Sequence, residues 1–113
     1  MTASISLNPG STAFINVWLR ERSIDPDTRK EVLTPVNSAS VKVTIKDSNG
    51  DNIAGVVWPV TVPFDANGNY SGTISKDAEL VAGEQVKIYI NATEGSRVLE
   101  LEQFVIPVIP NLN

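Results

Sequence analysis

An all-β fold is what this sequence predicts, and two observations carry the prediction. Apolar and polar residues alternate with period two through several short runs, and Asn-Gly, Gly and Pro signals separate those runs at the spacing of turns. A third observation narrows the choice, since helical periodicity is hard to find anywhere in the 113 residues. The pattern predicts one antiparallel β-sandwich of about seven strands, with residues 1–113 as a single domain. A chain of this length buries roughly two thirds of the surface its unfolded form exposes, so its core needs no covalent or metal staple.

Taken in order, ASISL (3–7) is short and serves as a candidate first strand. AFINVWLR (13–20) places Ile15, Val17 and Leu19 on one face and Phe14 and Trp18 on the other. If the aliphatic face is core, an aromatic pair points outward, as an interface requires; alternatively both faces are covered, by the segment that follows or by the C-terminal tail. Residues 21–40, ERSIDPDTRKEVLTPVNSAS, form the one long connection and the most densely charged stretch. Loops of that length inside a compact domain are usually functional or mobile, which makes Asp25, Asp27 and Arg29 candidate contact residues. VKVTIK (41–46) returns to strict alternation, with Val41, Val43 and Ile45 inward and Lys42, Thr44 and Lys46 outward.

Asp47, Asn49 and Asp51 then alternate as the first oxygen ligands of a calcium loop would. An EF-hand loop also needs glycine at its sixth position and a bidentate acid at its twelfth, and counting from Asp47 these places hold Asn52 and Trp58. Asp-Ser-Asn-Gly reads instead as a turn between two strands, its Asx side chain bonding backbone and its Asn-Gly tolerating positive φ.

In VVWPVTVPF (56–64), Trp58, Val60, Val62 and Phe64 share one parity and the two prolines the other. Proline donates nothing to a ladder, so this strand is expected at a sheet edge or broken. Asp65, Asn67 and Asn69 could also turn oxygens toward a cation, but Asn67-Gly68 before Tyr70 is a hairpin signature. NYSGTI (69–74) has Tyr70 and Ile74 as apolar anchors. KDAELVAGEQ (76–85) connects strands with at most one helical turn, capped by Asp77 and stopped by Gly83. EQVKIYINA (84–92) alternates Val86, Ile88 and Ile90 against Lys87 and Tyr89. RVLELEQFVI (97–106) alternates too, with a phase slip near Gln103 that suggests a bulge. The tail, 107–113, is expected to be extended, with Val108 and Ile109 either packed on the sandwich or exposed as a docking strip.

Composition excludes much chemistry. The chain has no cysteine and no histidine, so disulfides, thiol nucleophiles, zinc sites built on those ligands and histidine-dependent triads are all absent. Glu100 and Glu102 lie two apart on a strand and read as a solvated stripe, and no glycine stands in a phosphate-binding loop. No enzymatic activity, cofactor or metal is expected. Nine basic and thirteen acidic residues leave a charge of −4, without the basic footprint that nucleic acid demands. No long apolar run predicts a membrane span, and MTASISLNPG does not resemble a signal peptide, so synthesis in the cytoplasm is expected. On that footing the sequons at Asn69 and Asn91 carry no meaning.

TPVNSASVKVTIKDSNGDNIAG, WPVTVPFDANGNYSGTIS and LVAGEQVKIYINAT together resemble immunoglobulin-like and prealbumin-like sandwich modules. Pro35 and Ala39 lead into a strand and an Asp-x-x-Gly hairpin, Gly68 and Tyr70 resemble a "DG-x-Y" strand, and Gly83 precedes the penultimate strand. A narrower resemblance is to small immunoglobulin-like proteins encoded among bacteriophage structural genes. It rests on Pro9-Gly10, the Asp25–Thr28 run, Asp47, Gly50, Ile53, Gly55 and Trp58-Pro59, then Gly68 to Ile74, and Leu80 with Gly83. Arg29 stands where a glycine often follows "DPDT", which makes that loop less obviously a tight turn.

The resemblance implies a virion structural or accessory protein that docks on a capsid, connector or tail. Other virion proteins or further copies of itself would then be the partners, without nucleic acid, membrane or small-molecule ligand. An alternative is a carbohydrate- or receptor-binding module using loop 21–40. A stalk repeat with an intramolecular Lys–Asn bond fits less well, because Lys42, Lys46 and Lys87 all alternate outward.

Overall fold

The computed structural model describes residues 2–7, 10 and 12–106. Among them are ten strands and no helix. The all-β expectation holds, but the count exceeds the seven strands expected. One four-stranded antiparallel sheet has the order β1 (Thr2–Ser6), β2 (Ala13–Trp18), β8 (Asn69–Ile74), β7 (Phe64–Ala66). The second has the order β10 (Arg97–Val105), β9 (Val86–Glu94), β5 (Ser40–Lys46), β6 (Val60–Val62). A separate hairpin joins β3 (Arg20–Ile24) to β4 (Glu31–Pro35).

The two large sheets enclose one core, and the alternating residues build it. Ile15, Val17 and Leu19 come from the β2 segment, Val41, Val43 and Ile45 from β5, Tyr70 and Ile74 from β8, and Val86, Ile88 and Ile90 from β9. All are buried. Period-two alternation selects this register, because a slip of one residue would expose the whole apolar set of a strand. Among the buried core residues described, Tyr70 carries a polar group: its hydroxyl donates to the Val36 carbonyl at 2.7 Å and accepts from the Ala39 amide at 3.1 Å. Those bonds fix the segment between β4 and β5.

Proline breaks the 56–64 strand as its lack of a donor requires. Val62 is buried in the second sheet; Pro63 follows, and Phe64 begins the edge strand of the first. The Pro63 carbonyl still accepts from the Ser71 amide at 3.0 Å, so the chain crosses between sheets without leaving that group unpaired. The crossing removes Phe64 from the inward face shared with Val62. It lies edge-on to Tyr70, with ring centroids 5.5 Å apart, and is half exposed.

The turns follow their sequences. Asp47 Oδ1 accepts from the amides of Asn49 and Asp51, and the Asp47 carbonyl accepts from Gly50. That carboxylate oxygen is spent on backbone donors, as a turn requires. Asn67 and Gly68 both have positive φ, 50° and 77°, in the tight hairpin between β7 and β8. The 76–85 segment holds turns and no helix, one of them closed by the Glu84 amide on the Val81 carbonyl around Gly83.

Neither the bulge expected at Gln103 nor the open loop expected over 21–40 forms. β10 pairs with β9 without a register break from Arg97 to Val105, so there is no bulge at Gln103. Gln103 keeps the inward parity of Leu101 and Val105 and donates to the Ala3 carbonyl at 3.4 Å. A polar residue serving the opposite sheet looks, in sequence, like a change of phase. Segment 21–40 is likewise no open loop, since most of it forms the β3–β4 hairpin.

Candidate interaction surface

Strand pairing defines what the outer face of the first sheet presents. Thr2, Trp18 and Asn69 form one cross-strand row; Ser4, Asn16 and Ser71 form the next; Phe14 and Thr73 continue the third. None of these positions carries a charge. Phe14 is 66% exposed, whereas Trp18 is half-buried. Ser71 Oγ donates to Asn16 Oδ1 at 2.7 Å, which orders the polar centre of the face. Charged residues are the ordinary occupants of a solvated sheet face. An exposed aromatic ring and the absence of charge are two features that this face shares with interface cores.

The outer face of the second sheet is the contrast. Glu100 and Glu102 line β10, Lys87 lies on β9, and Lys42 and Lys46 lie on β5. The Lys87–Glu102 pair, at 3.9 Å, is the closest ion pair on this face.

The hairpin extends the β2 line outward. Leu19 bridges the two, its amide donating to the Gly68 carbonyl and its carbonyl accepting from the Val36 amide. Beyond Arg20 every residue of β3 and β4 is exposed, so the hairpin projects from the sandwich as an arm. Arg22 pairs with Glu31 at 2.9 Å across it, and Arg97 holds Glu21 at 2.7 Å near its base. Ile24 and Leu33 stand exposed on one side of the arm, beside Arg20 and Arg22.

At the tip, half-buried Asp25 organises the turn. Its Oδ1 accepts from the Asp27 amide at 2.8 Å and the Thr28 amide at 3.4 Å, and its carbonyl accepts from Arg29 at 2.7 Å. Arg29 adopts φ 58°, the left-handed conformation glycine usually supplies. The departure from glycine therefore does not prevent a tight turn. Asp27 and Arg29 are exposed at the tip. The structure thus brings Phe14 and Trp18 onto one sheet face and Asp25, Asp27 and Arg29 onto the arm. Val108 and Ile109, with the expected extended tail 107–113, lie outside the described residues.

No cluster of three or more acidic residues placed to hold a metal occurs among the described residues. No helix there is long and apolar enough to cross a membrane. Comparison with known proteins brings no match to a family model, a curated protein or a solved structure.

Proposed function

We propose that this protein is a non-catalytic assembly module, an immunoglobulin-like sandwich that docks on a larger particle through protein–protein contacts. The observation that carries the proposal is the uncharged face of β1, β2 and β8, with Phe14 exposed in one row and Trp18 half-buried two rows away, across Asn16. Immunoglobulin-like topology has support in the strand orders: β1-β2-β8-β7 follows an A-B-E-D order and β10-β9-β5-β6 a G-F-C-C′ order. In that scheme the arm is an insertion between B and C. A phage virion as the setting, with capsid, connector or tail as the docking surface, rests on the motif resemblance.

Size decides what must take part. Three strands by six residues cover roughly 14 by 20 Å, near 300 Å², from strand spacing and rise. A stable interface occupies about 800 Å² on each partner. The sheet face alone falls short, and the arm that continues from β2 supplies further area with Ile24 and Leu33. Face and arm act together.

The alternative, a sugar- or receptor-binding module built on 21–40, has the projection of the arm in its favour. Against the sugar version, no aromatic residue lies in that segment to stack on a ring. Native mass spectrometry at micromolar concentration tests the assembly reading. A defined oligomer that Phe14→Ser abolishes without altering the circular dichroism is expected. A monomer at every concentration, with a Phe14→Ser variant that unfolds, would sink it; a specific hit on a glycan panel would favour the alternative.

A further inference from the structure

We propose that the cleft between Lys46, Lys87, Tyr89 and Phe104 is a docking site for an acidic side chain of a protein partner. It lies on the outer face of the second sheet, away from the β1–β2–β8 face, and does not rest on the proposed function. Phe104 is the direct cross-strand neighbour of Lys87, and Lys87 of Lys46, so one row holds an aromatic ring and two cations. Both ammonium groups also approach the Tyr89 ring, at 5.3 Å for Lys46 and 5.4 Å for Lys87, and Lys87 lies 5.0 Å from the Phe104 ring. The cleft measures about 340 Å³ and is completed by the 47–50 turn, Gln85 and Val86.

Two like charges directly opposite each other on a sheet face oppose folding. Two carboxylates, Glu102 and Asp47, offset them in part. Glu102 reaches only Lys87, at 3.9 Å, and Lys46 makes no ion pair among the described residues. Asp47, next along the chain, also lines the cleft, with Oδ1 bonded to two backbone amides and no ion pair to Lys46 within 4 Å. The aromatic rings hold the ammonium groups near one another, because a ring face attracts a cation even when another cation is close. A chain of net charge −4 thus carries a preformed pair of cations with room for one more group. A carboxylate is the complement of that pair.

The cleft is open along one side, so a small free acid would keep much of its own surface in water. Phe104 and Ile106, both exposed and of the same parity, offer apolar contact to residues flanking the carboxylate. A polypeptide supplies both parts. Charge complementarity of this kind sets specificity and association rate more than raw affinity.

The test is an amide-resonance titration with the peptide acetyl-Gly-Phe-Glu-Phe-Glu-Gly-amide, its Gln-for-Glu analogue and a Lys46→Gln/Lys87→Gln double variant. Shifts confined to residues 46–50, 85–89 and 104 are expected, with binding weakened about fivefold or more by either the analogue or the double variant. Thermal melting separates a docking role from a structural one: the double variant loses the like-charge contact together with the cation–π contacts and the exposed Lys87–Glu102 pair, so it should melt close to the parent. No shift at millimolar peptide, equal binding of the analogue, shifts elsewhere, or a marked loss of stability in the double variant would each overturn the proposal.

Discussion

Gly55 is held at φ +94°, where a Cβ would run into the carbonyl oxygen of Asp77. The neighbouring Glu79 amide bonds the Ala54 carbonyl at 2.9 Å, so neither segment can retreat without losing a contact. Gly55→Ala should cost about 2 kcal/mol or more, since a steric clash adds to an unfavourable φ. Gly50 has a similar φ, +87°, with open space around it, and Gly50→Ala should cost only about 1 kcal/mol. Urea denaturation of the pair separates the terms, and equal losses would place the whole effect in φ. Tyr70 makes a different residue-scale case. Its ring is fully buried, while its hydroxyl serves Val36 and Ala39. Tyr70→Phe keeps the ring and leaves those backbone groups without a partner, at a cost of about 1–3 kcal/mol. Faster proteolysis within residues 36–39 should accompany the lower melting temperature. An unchanged cleavage rate would mean that other contacts hold the segment.

At the scale of the element, β2 carries two kinds of residue on adjacent positions. Ile15 faces the core and is fully buried, whereas Phe14 is two-thirds exposed. Ile15→Ala should therefore destabilise by about 2–5 kcal/mol. Phe14→Ser should change stability by no more than about 0.5 kcal/mol while removing the aromatic contact proposed for docking. Chemical denaturation of both variants checks the contrast, and comparable losses would mean that the outer face is packed after all. The strands around this one were legible because burial on one side imprints period two: β5, β8 and β9 follow it closely. The arm was illegible for the converse reason. RERSI and EVLTP pair with each other but cover no core, so neither shows alternation and the segment reads as a charged loop. Gln103 misled in another way, occupying an inward position by bonding Ala3. Of the candidate contact residues, Phe14 and Trp18 could be found by parity alone. The uncharged partners opposite them could not, because those depend on which residues of β1 and β8 pair with β2, and the guanidinium of Arg20 comes no nearer than Asn69 at one end.

Across the whole molecule, stability and exposure divide the same way. The sandwich has one continuous core fed by both sheets, whereas the arm is a two-stranded hairpin held mainly by its own ladder, its tip turn and exposed ion pairs. An isolated two-stranded ribbon is marginal in water, and exposed ion pairs add little. Amide hydrogen exchange should therefore show two populations. Amides of β2, β5, β8 and β9 should exchange through global unfolding, and those of β3 and β4 through local opening at far lower free energy. The boundary should fall at Leu19 and Val36, where hydrogen bonds to Gly68 and to each other tie the arm to the sandwich. This pattern has a functional consequence that exchange can also measure. Under the proposed docking, an arm loosely ordered alone would gain protection in the complex, at some cost in affinity, because its ordering is completed there. Slow exchange in β3 and β4 that persists when Phe14→Ser removes docking would show that the arm is rigid by itself. Fast exchange that slows only in the assembled protein would make the arm a clasp, with the uncharged face as its seat.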